Sequence, residues 1–394
     1  MVKPHILLTF NPGSGSIKLG LYALEGARPR RIGRGMIDLR QQPLRLHLKE
    51  GPQDIDVPLQ APAGDDLAPL LEETFAWLAR HFGADAIAAI GHRVVHGGDA
   101  FDGAARIDDA TLAAIAALVP LAPLHQPQSL RLIRALRRLL PDLPQVACFD
   151  TAFHRHQDDT IRRFALPREL HAAGIKRYGF HGLSYRFIAG QLAAHFPALQ
   201  QGRIIVAHLG SGASLCALHQ GRSIETSMGF STLDGIPMAT RPGAVDPGVL
   251  LHLLQRGGYT AEQLEDLLYH RSGLLGLSGI SADSRILLQS QASEAREALA
   301  HFCWRTAREI LALTASLGGL DGIVFTAGIG EHQPAIRQAI CDRLDWLGLR
   351  IDAAANAANA TMISAADTRI QALVIPTDEE QIIAEETAAL LASG

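Results

Sequence analysis

Two glycine- and serine-rich turns, residues 13–16 and 210–213, are separated by half of the 394-residue chain. Each turn follows an apolar, strand-like run, at residues 5–10 or 203–208, and leads into a second run of alternating polarity. Glycine permits positive φ and close backbone approach, so consecutive N–H groups in such a turn can point at phosphate oxygens. A strand–turn–strand unit that occurs twice predicts a duplicated α/β domain with two phosphate-binding hairpins facing each other across a cleft. Such a cleft suits an enzyme that holds a nucleotide.

The first turn has polar neighbours that could bind an anion. Lys18 supplies a compact positive charge, and Asn11 and the serines add neutral polar groups. One such segment is as readily a plain hairpin turn. The second turn lies at a matching position and is preceded by His208. The occurrence of two such turns favours phosphate binding at both of them.

Five further side chains have settings in which chemistry is possible: Arg93 between an apolar strand and glycines, His125 between prolines, Asp150 after a strand, His181 between glycines, and Arg241 before Pro-Gly. Ligands of open α/β sheets lie at the carboxyl ends of strands, and arginine suits a bidentate grip on carboxylate or phosphate. Each residue alone is more readily a salt bridge, a cap or a core residue.

Two further patterns suggest metal binding or helix capping. His92 and His96 have the spacing of helical zinc ligands, but the flanking glycines argue against a helix. Thr377 and Glu380 predict a capping box that opens the last helix, which leaves Glu379 available to bind magnesium. Together the glycine turns, isolated arginines, strand-end aspartate and acidic run match the needs of phosphoryl transfer.

Strand-like and amphipathic helical segments alternate along the chain, as in α/β domains. The patterns predict strands at 86–95, 145–149 and 371–375, a strand-prone stretch at 39–57, a strand–turn–helix at 322–344, and helices at 66–82, 108–118, 129–140, 247–255, 261–269, 292–317 and 379–391. The basic cluster at 28–31 is expected to be a solvated loop. The predicted domains are residues 1–150 with 378–394, and residues 151–377.

Composition excludes several classes of protein. With 47% apolar and 19% charged residues the chain is globular, and a net charge of −4 gives no reason to expect a nucleic-acid or membrane partner. No apolar run approaches the length of a membrane span, and the first residues lack a signal-peptide pattern. The cysteines Cys148, Cys216, Cys303 and Cys341 are scattered, so we expect buried, reduced thiols and a cytoplasmic protein.

Taken in order, these segments resemble the acetate kinase family, whose fold is a duplicated actin-like (ribonuclease H-like) domain with an interdomain cleft. The resemblance covers nearly the whole chain and rests on the segments at residues 11–18, 91–98, 120–127, 149–154, 177–182, 208–214, 240–247, 272–285, 325–331 and 375–380. It implies reversible phosphoryl transfer from ATP to acetate, giving acetyl phosphate and ADP, with Mg²⁺ or Mn²⁺, in a homodimer.

The resemblance also implies roles for individual residues. Asn11 and Glu379 would hold the metal, directly or through water, and Lys18 would contact the nucleotide phosphates. Asp150 is the designated active-site acid, and His181 and Arg241 would stabilise the transferring phosphoryl group. Further residues would bind substrates: Arg93, Val95, Leu124, His125 and Phe180 for acetate; His208, Leu209, Gly210, Ser211 and Gly212 for phosphate; Asp283, Ser284, Arg285, Gly328, Ile329, Gly330, Glu331 and His332 for the nucleoside.

Three positions depart from the usual family pattern: Gly15 replaces a serine, and Ser211 and His332 each replace an asparagine. The shorter Ser211 puts one phosphate hydrogen bond in question, a loss of the order of 10²–10³ in rate. Because acetate is ionised at neutral pH, Asp150 is not needed as a base and would orient its neighbours or the metal. Two alternatives stay open: a kinase of propionate or butyrate, and a non-catalytic nucleotide-binding protein of actin-like fold.

Overall fold

The computed structural model describes residues 5–13, 15–25, 28–62, 64, 66–83 and 86–393. Its strands are β1 (Ile6–Pro12), β2 (Ser16–Ala23), β3 (Arg30–Asp38), β4 (Arg45–Glu50), β5 (Gln53–Pro58), β6 (Ile87–Val94), β7 (Ala105–Arg106), β8 (Gln145–Phe149), β9 (Arg203–Leu209), β10 (Ala213–His219), β11 (Arg222–Thr226), β12 (Gly322–Thr326) and β13 (Gln371–Val374).

The α-helices of the described residues are α1 (Ala68–Phe82), α2 (Asp109–Ala117), α3 (Gln126–Leu139), α4 (Asp159–Arg162), α5 (Arg168–Ala172), α6 (Gly182–His195), α7 (Pro197–Gln200), α8 (Pro247–Gln255), α9 (Ala261–His270), α10 (Gly273–Ser278), α11 (Ser284–Gln289), α12 (Ser293–Leu317), α13 (Ala327–His332), α14 (Pro334–Cys341), α15 (Ala353–Ala357) and α16 (Glu379–Ala392). Among these, none combines the length and the apolar character that crossing a bilayer requires.

The chain divides into two compact units. The N-terminal unit is Met1–Arg155 with Asp378–Gly394, and the C-terminal unit is His156–Thr377. The last helix, α16, therefore belongs to the unit that contains the start of the chain.

The N-terminal unit is built on an eight-stranded sheet of order β5-β4-β3-β2-β1-β6-β8-β7. Strands β1, β2 and β3 are antiparallel neighbours, whereas β6 runs parallel to β1 and β8 parallel to β6. Helix α16 packs on β1, β6 and β8. Gly91 in β6 allows this close packing, since a Cβ there would lie 2.4 Å from Thr387 Oγ1 of α16.

The C-terminal unit has a five-stranded sheet of order β11-β10-β9-β12-β13. Strands β9, β10 and β11 are antiparallel, and β12 and β13 continue the sheet in parallel. The same five-strand pattern, order β3-β2-β1-β6-β8, forms the middle of the N-terminal sheet. This repeat is the duplication that the two glycine turns predict, and each turn joins the first two strands of its unit.

Apolar residues at strand positions form the cores, and the four cysteines are all buried thiols, as expected. Most predicted elements occur with bounds shifted by a few residues. The segment at 28–31 is a correction, because Arg30 begins β3 and Arg31 lies within it. Arg31 donates hydrogen bonds to Tyr22 Oη and to Asp378, so it is not part of a solvated loop.

Two helix starts also differ from the sequence predictions. Helix α16 is capped by Asp378, whose carboxylate accepts a hydrogen bond from Gln381 N, so the predicted capping box of Thr377 and Glu380 is wrong. Asp378 is the stronger N-cap because its carboxylate also favours the positive end of the helix dipole. The turn expected between the strand that begins at residue 322 and the helix that follows it forms instead the short helix α13.

Candidate active site

The β1–β2 hairpin positions the first group of predicted residues. Asn11 lies directly opposite Lys18 in the antiparallel ladder; Asn11 is buried and Lys18 is exposed. Ser14 of the turn, and Gly26 of the turn that closes the hairpin, lie outside the described residues.

Asn11 connects the hairpin to the start of α16. Its Nδ2 donates to Glu379 Oε2 at 2.9 Å and to Glu380 Oε1 at 2.8 Å. Its Oδ1 accepts a hydrogen bond from Nη1 of Arg93 at 3.0 Å. Both predicted metal residues, Asn11 and Glu379, are therefore neighbours, and Glu380 joins them.

Arg93 and Asp150 form a buried ion pair at the carboxyl ends of β6 and β8. Nη2 of Arg93 lies 2.6 Å from Asp150 Oδ2, and its Nε lies 3.1 Å from Oδ1. Only 1% of the Asp150 side chain is exposed. Burial raises the pKa of Asp150, and Arg93 opposes that rise; burial also disfavours the charge of Arg93, but Asp150 and Glu379 raise its pKa above the ordinary value. The two groups stabilise each other's charge.

Local contacts fix the start of α16, on which the acidic pair depends. Asp378 caps the helix and is bound by Arg31, which also donates to the buried Tyr22. With Arg93 and Asp150 neutralising each other, the carboxylates of Glu379 and Glu380 leave this cluster with net negative charge. Such a cluster favours a cation.

The predicted acetate residues other than Arg93 lie in three separate segments of the chain. Val95 follows β6 and is buried, and Leu124 and His125 are half-buried just before α3. Phe180 is buried in the C-terminal unit, immediately before His181.

The β9–β10 hairpin positions the second group. His208 lies near the end of β9, opposite Ser214, and Gly210 N donates to Gly212 O within the turn. A Cβ built on Gly212 would lie 3.3 Å from His181 Nε2 and 3.8 Å from Arg241 Nη1, and one on Gly210 would lie 3.7 Å from His208 Nε2. Three cationic or hydrogen-bonding groups therefore surround a turn that has no side chains at these two positions. This is the arrangement expected of a phosphate site.

Stacking and hydrogen bonds hold the two imidazoles. The rings of His181 and His208 are stacked with centroids 4.2 Å apart. Nδ1 of His181 lies 2.7 Å from Ser214 Oγ, and Nδ1 of His208 lies 2.8 Å from Ser184 Oγ. His181 has φ of 58°, in the left-handed region, at the residue before α6. A non-glycine residue there stores strain, which is a feature of functional sites.

Arg241 approaches the same turn from the segment after β11. Its Nη1 donates to Thr232 O at 3.4 Å, and its guanidinium lies 6.0 Å from the centroid of the Tyr269 ring. Leu209 is buried, and Ser211 is exposed in the turn, where its carbonyl accepts a hydrogen bond from Ala239 N.

The predicted nucleoside residues lie in two segments of the C-terminal unit. In one, Asp283 caps α11 and binds the guanidinium of Arg285, while buried Ser284 accepts a hydrogen bond from Gln333. In the other, Gly328 and His332 are exposed, whereas Ile329 and Gly330 are buried.

Glu331 makes two hydrogen bonds to the backbone that its position in the sequence did not predict. Its Oε1 accepts hydrogen bonds from Ala327 N at 2.7 Å and from Thr377 N at 3.0 Å. The carboxylate therefore closes the first turn of α13 and fixes Thr377.

Sequence reasoning missed several residues of these clusters. The sequence pattern assigns Thr377 and Glu380 to a capping box. Ser184 and Tyr185 lie outside the segments that the sequence singles out, and Ser214 ends the segment 208–214 that begins with His208. The usable signal for Glu380 was its place beside Glu379 at a helix start, where carboxylates are favoured.

Comparison with known proteins identifies the family of the chain. The sequence matches the acetokinase family over residues 6–385. An acetate kinase of Rhodopseudomonas palustris is 46% identical over 386 residues, covering 96% of each chain. An acetate kinase of Rhizobium meliloti is 45% identical over 389 residues, covering 98% of each chain.

Solved structures give the same result. A propionate kinase from Francisella tularensis superposes with a TM-score of 0.89 at 35% identity, covering 97% of this chain and 98% of its own. The acetate kinase of Porphyromonas gingivalis superposes with a TM-score of 0.86 at 32% identity, covering 98% of this chain and 99% of its own. The fold is thus the actin-like α/β fold of carboxylate kinases, as predicted. The chain belongs to the acetokinase family, a family of phosphotransferases that use ATP and ADP.

Proposed function

We propose that the protein transfers the γ-phosphoryl group of ATP reversibly to acetate, forming acetyl phosphate and ADP. The observation that carries the proposal is the presence of two groups of residues, one around the buried Arg93–Asp150 pair and one around the Gly210–Gly212 turn. A protein that only binds nucleotide needs no arginine held in this way among carboxylates.

The N-terminal group would bind the carboxylate and the metal. Acetate is ionised at neutral pH, with a pKa of roughly 4–5, so Asp150 has no proton to remove from it. Asp150 instead holds two nitrogens of Arg93, and this fixes the plane in which the guanidinium meets an anion. Val95 and Leu124 would limit the space for the methyl group.

The residues at the start of α16 fit a magnesium ion. Among the described residues no three His, Cys, Asp or Glu side chains form a closed metal site. Magnesium is usually held by one or two carboxylates together with substrate phosphates and water, and Glu379 and Glu380 supply that pair. When bound, the ion would neutralise phosphate charge. Asn11 presents its amide nitrogen to both carboxylates, so it would orient these ligands.

The C-terminal group would stabilise the transferring phosphoryl group. His181, His208 and Arg241 can donate hydrogen bonds to its oxygens, while the backbone at Gly210 and Gly212 permits close approach. Lys18 of the N-terminal hairpin and the nucleoside segments of the C-terminal unit complete the predicted set. Neutralising charge is the main task, because an anion must attack a polyanion.

A hydroxamate assay with ATP, Mg²⁺ and acetate tests the proposal. We expect turnover that depends on all three reactants and that disappears in Arg241→Ala. Absence of turnover in the wild-type protein that nevertheless binds Mg·ATP would instead support the non-catalytic alternative.

A propionate kinase activity is the second candidate, because the Francisella tularensis propionate kinase superposes closely on the chain. One methylene in an apolar pocket changes specificity by only about 1–3 kcal/mol. Competition among acetate, propionate and butyrate in one reaction measures the preference directly. We expect acetate to be preferred, and a higher kcat/KM for propionate would reverse the assignment.

We further propose that the two domains close over the substrates, since open access of water would allow ATP hydrolysis. The domains of this proposal are residues 1–150 with 378–394, and residues 151–377. Small-angle scattering with and without Mg·ADP and acetate should show compaction, and an unchanged profile would contradict closure. We place the enzyme in the cytoplasm, which the buried thiols support.

A homodimer is also proposed, and α8 offers a surface for it. All nine residues of this helix are exposed or half-exposed, including Val249, Leu251 and Leu254 at 48%, 54% and 42%. Several large apolar side chains exposed together on one helix commonly mark a surface that another molecule covers. Leu251→Asp should convert dimer to monomer in light scattering, whereas Leu166→Asp, at another exposed leucine, should not. A wild-type monomer would contradict the proposal.

A further inference from the structure

Each of the two stacked histidines is bound by a serine that is itself bound by a second hydroxyl. Thr377 Oγ1 lies 2.7 Å from Ser184 Oγ, which lies 2.8 Å from His208 Nδ1. Tyr185 Oη lies 2.5 Å from Ser214 Oγ, which lies 2.7 Å from His181 Nδ1. We call these two chains of groups the Thr377 relay and the Tyr185 relay.

In each relay the serine binds the histidine that lies in the other segment of the chain. Ser184 is in the helix that follows His181 yet binds His208, and Ser214 is opposite His208 in the β9–β10 ladder yet binds His181. Each histidine is therefore oriented by the segment that carries or faces the other. This links the orientation of both rings.

The protons that each group can donate determine the direction of the hydrogen bonds in each relay. Phosphate oxygens accept hydrogen bonds, so a neutral histidine can donate to phosphate through Nε2 only if its Nδ1 carries no proton, and Nδ1 can then only accept in its bond with the serine. The serine must then donate its single proton to Nδ1 and accept a proton from the second hydroxyl. Burial raises the pKa of Tyr185 well above its ordinary value, which keeps this phenol protonated and able to donate.

The far end of the Thr377 relay is fixed by the backbone. Thr377 N donates to Glu331 Oε1, which also accepts from Ala327 N. Ala327 has φ of 64°, and its hydrogen bond to Glu331 helps to hold this strained conformation. Ser184 is fully buried, so water cannot readily replace the hydroxyl of Thr377 as its partner.

We propose that the Thr377 and Tyr185 relays fix His208 and His181 as Nε2–H donors directed toward the Gly210–Gly212 turn. Thr377, Ser184, Tyr185 and Ser214 are thus positioning residues that act through the two imidazoles. The inference rests on the proposed role of His181 and His208 at the transferring phosphoryl group.

Nitrogen-15 NMR of histidine-labelled protein tests the relays without using activity. The signals are assigned by their loss in His208→Asn and His181→Asn, and two-bond proton–nitrogen correlations give the tautomer. In the wild-type protein both rings should be Nε2–H tautomers. Thr377→Val should change the tautomer balance of His208 and leave His181 unchanged, and Tyr185→Phe should do the reverse.

Kinetics supply the second readout. Each relay variant should lower kcat up to about tenfold, the value of one hydrogen bond, with the KM for acetate unchanged. Thr377→Ser restores the hydroxyl and should restore kcat. Thr306→Val is the matched control, because Thr306 is a buried threonine whose hydroxyl donates to Phe302 O within its own helix, α12.

An Nδ1–H tautomer in the wild-type protein, or unchanged tautomers in Thr377→Val and Tyr185→Phe, would overturn the inference. If one variant fails to fold, the wild-type tautomers and the other variant still decide it. Nε2–H tautomers that respond as expected in a protein without acetate kinase activity would separate failure of the proposed function from failure of the relays.

Discussion

The two glycine hairpins have the same topology but opposite electrostatic surroundings. Asn11 and His208 occupy the same position, two residues before the first glycine of each turn, and each faces a residue of the next strand across an antiparallel ladder. Asn11 contacts the carboxylates of Glu379 and Glu380, whereas His208 stacks on His181 beside a turn that Arg241 also approaches.

This difference shows what duplication supplies and what it does not. The repeated five-strand pattern supplies two equivalent strand ends with a tight turn. The groups that distinguish the two ends lie outside the repeated strands: Glu379 and Glu380 in α16 of the N-terminal unit, and His181 before α6 and Arg241 after β11 in the C-terminal unit. This difference is the basis of our proposal that the N-terminal hairpin serves the metal ion and the C-terminal hairpin serves phosphate.

Among the variants that test this comparison, Arg241→Ala should have the largest effect on activity. It removes a guanidinium beside the C-terminal turn, and arginines in this role contribute about 10³–10⁵ in rate. Steady-state kinetics should show that loss in kcat with little change in the KM for acetate. The control is Arg271→Ala, an exposed arginine paired with Asp266, and near-normal kcat in Arg241→Ala would contradict the role.

The buried Arg93–Asp150 pair should dominate the stability of the N-terminal cluster. Removing one partner leaves an uncompensated buried charge, so Arg93→Ala and Asp150→Ala should each lower the unfolding free energy by about 3–5 kcal/mol. The double variant should lose less than the sum in urea unfolding. The exposed Arg163–Asp159 pair of the C-terminal unit should be worth only about 0–1 kcal/mol.

Arg93→Ala should also raise the KM for acetate, provided that the variant is assayed under conditions where it is folded. An unchanged KM in folded Arg93→Ala would remove this residue from the acetate site.

Acid should destabilise the N-terminal unit through its buried histidines. Burial lowers the pKa of His92 to about 4, an effect that a hydrogen bond to Gln145 opposes, and burial also lowers the pKa of His96 to about 4. The unfolded value is about 6.5, so between pH 6.5 and 4 the unfolded state binds more protons. Each histidine should therefore reduce stability by up to about 3 kcal/mol as the pH falls through this window.

His92→Phe tests this effect, because it removes one of the two titrating groups. The slope of unfolding free energy against pH should fall, whereas His195→Gln, at an exposed position in the C-terminal unit, should leave the slope unchanged. An identical slope in His92→Phe would show that His92 is not involved.

Gly212→Ala tests whether the C-terminal turn needs close backbone approach. The new methyl group would lie 3.3 Å from His181 Nε2 and would occupy space proposed for phosphate. A displacement of about 1 Å can cost about 10² in rate, and we expect that loss in kcat/KM for ATP. Gly190→Ala in α6, where a Cβ would meet no heavy atom within 4 Å, should be neutral.

Much of the fold could be predicted because its signals are local. A glycine turn between two alternating runs identifies a hairpin wherever it occurs, and two such hairpins predict a duplication. Asp150 and Arg93 could be found for the same reason, since the carboxyl ends of neighbouring parallel strands meet at one edge of a sheet.

The residues that were missed depend on pairings across long stretches of chain. Ser184 and Thr377 are 193 positions apart, and Arg31 reaches Asp378 across 347 positions. At Thr377 a local rule competed, because a threonine three residues before a glutamate fits a capping box, but Asp378 is the actual cap. No sequence pattern predicts that the hydroxyl of Thr377 contacts Ser184 instead of capping the helix that follows.

The most direct test asks whether metal binding and phosphate binding are divided between the two hairpins. It measures, by calorimetry, the binding of a non-hydrolysable ATP analogue with and without Mg²⁺. Glu379→Gln should abolish the gain in affinity that Mg²⁺ gives and leave metal-free binding intact. His208→Asn should weaken binding by the same factor in both conditions. A full Mg²⁺ effect in Glu379→Gln, or a loss in His208→Asn only when Mg²⁺ is present, would contradict the assignment of metal to one hairpin and phosphate to the other.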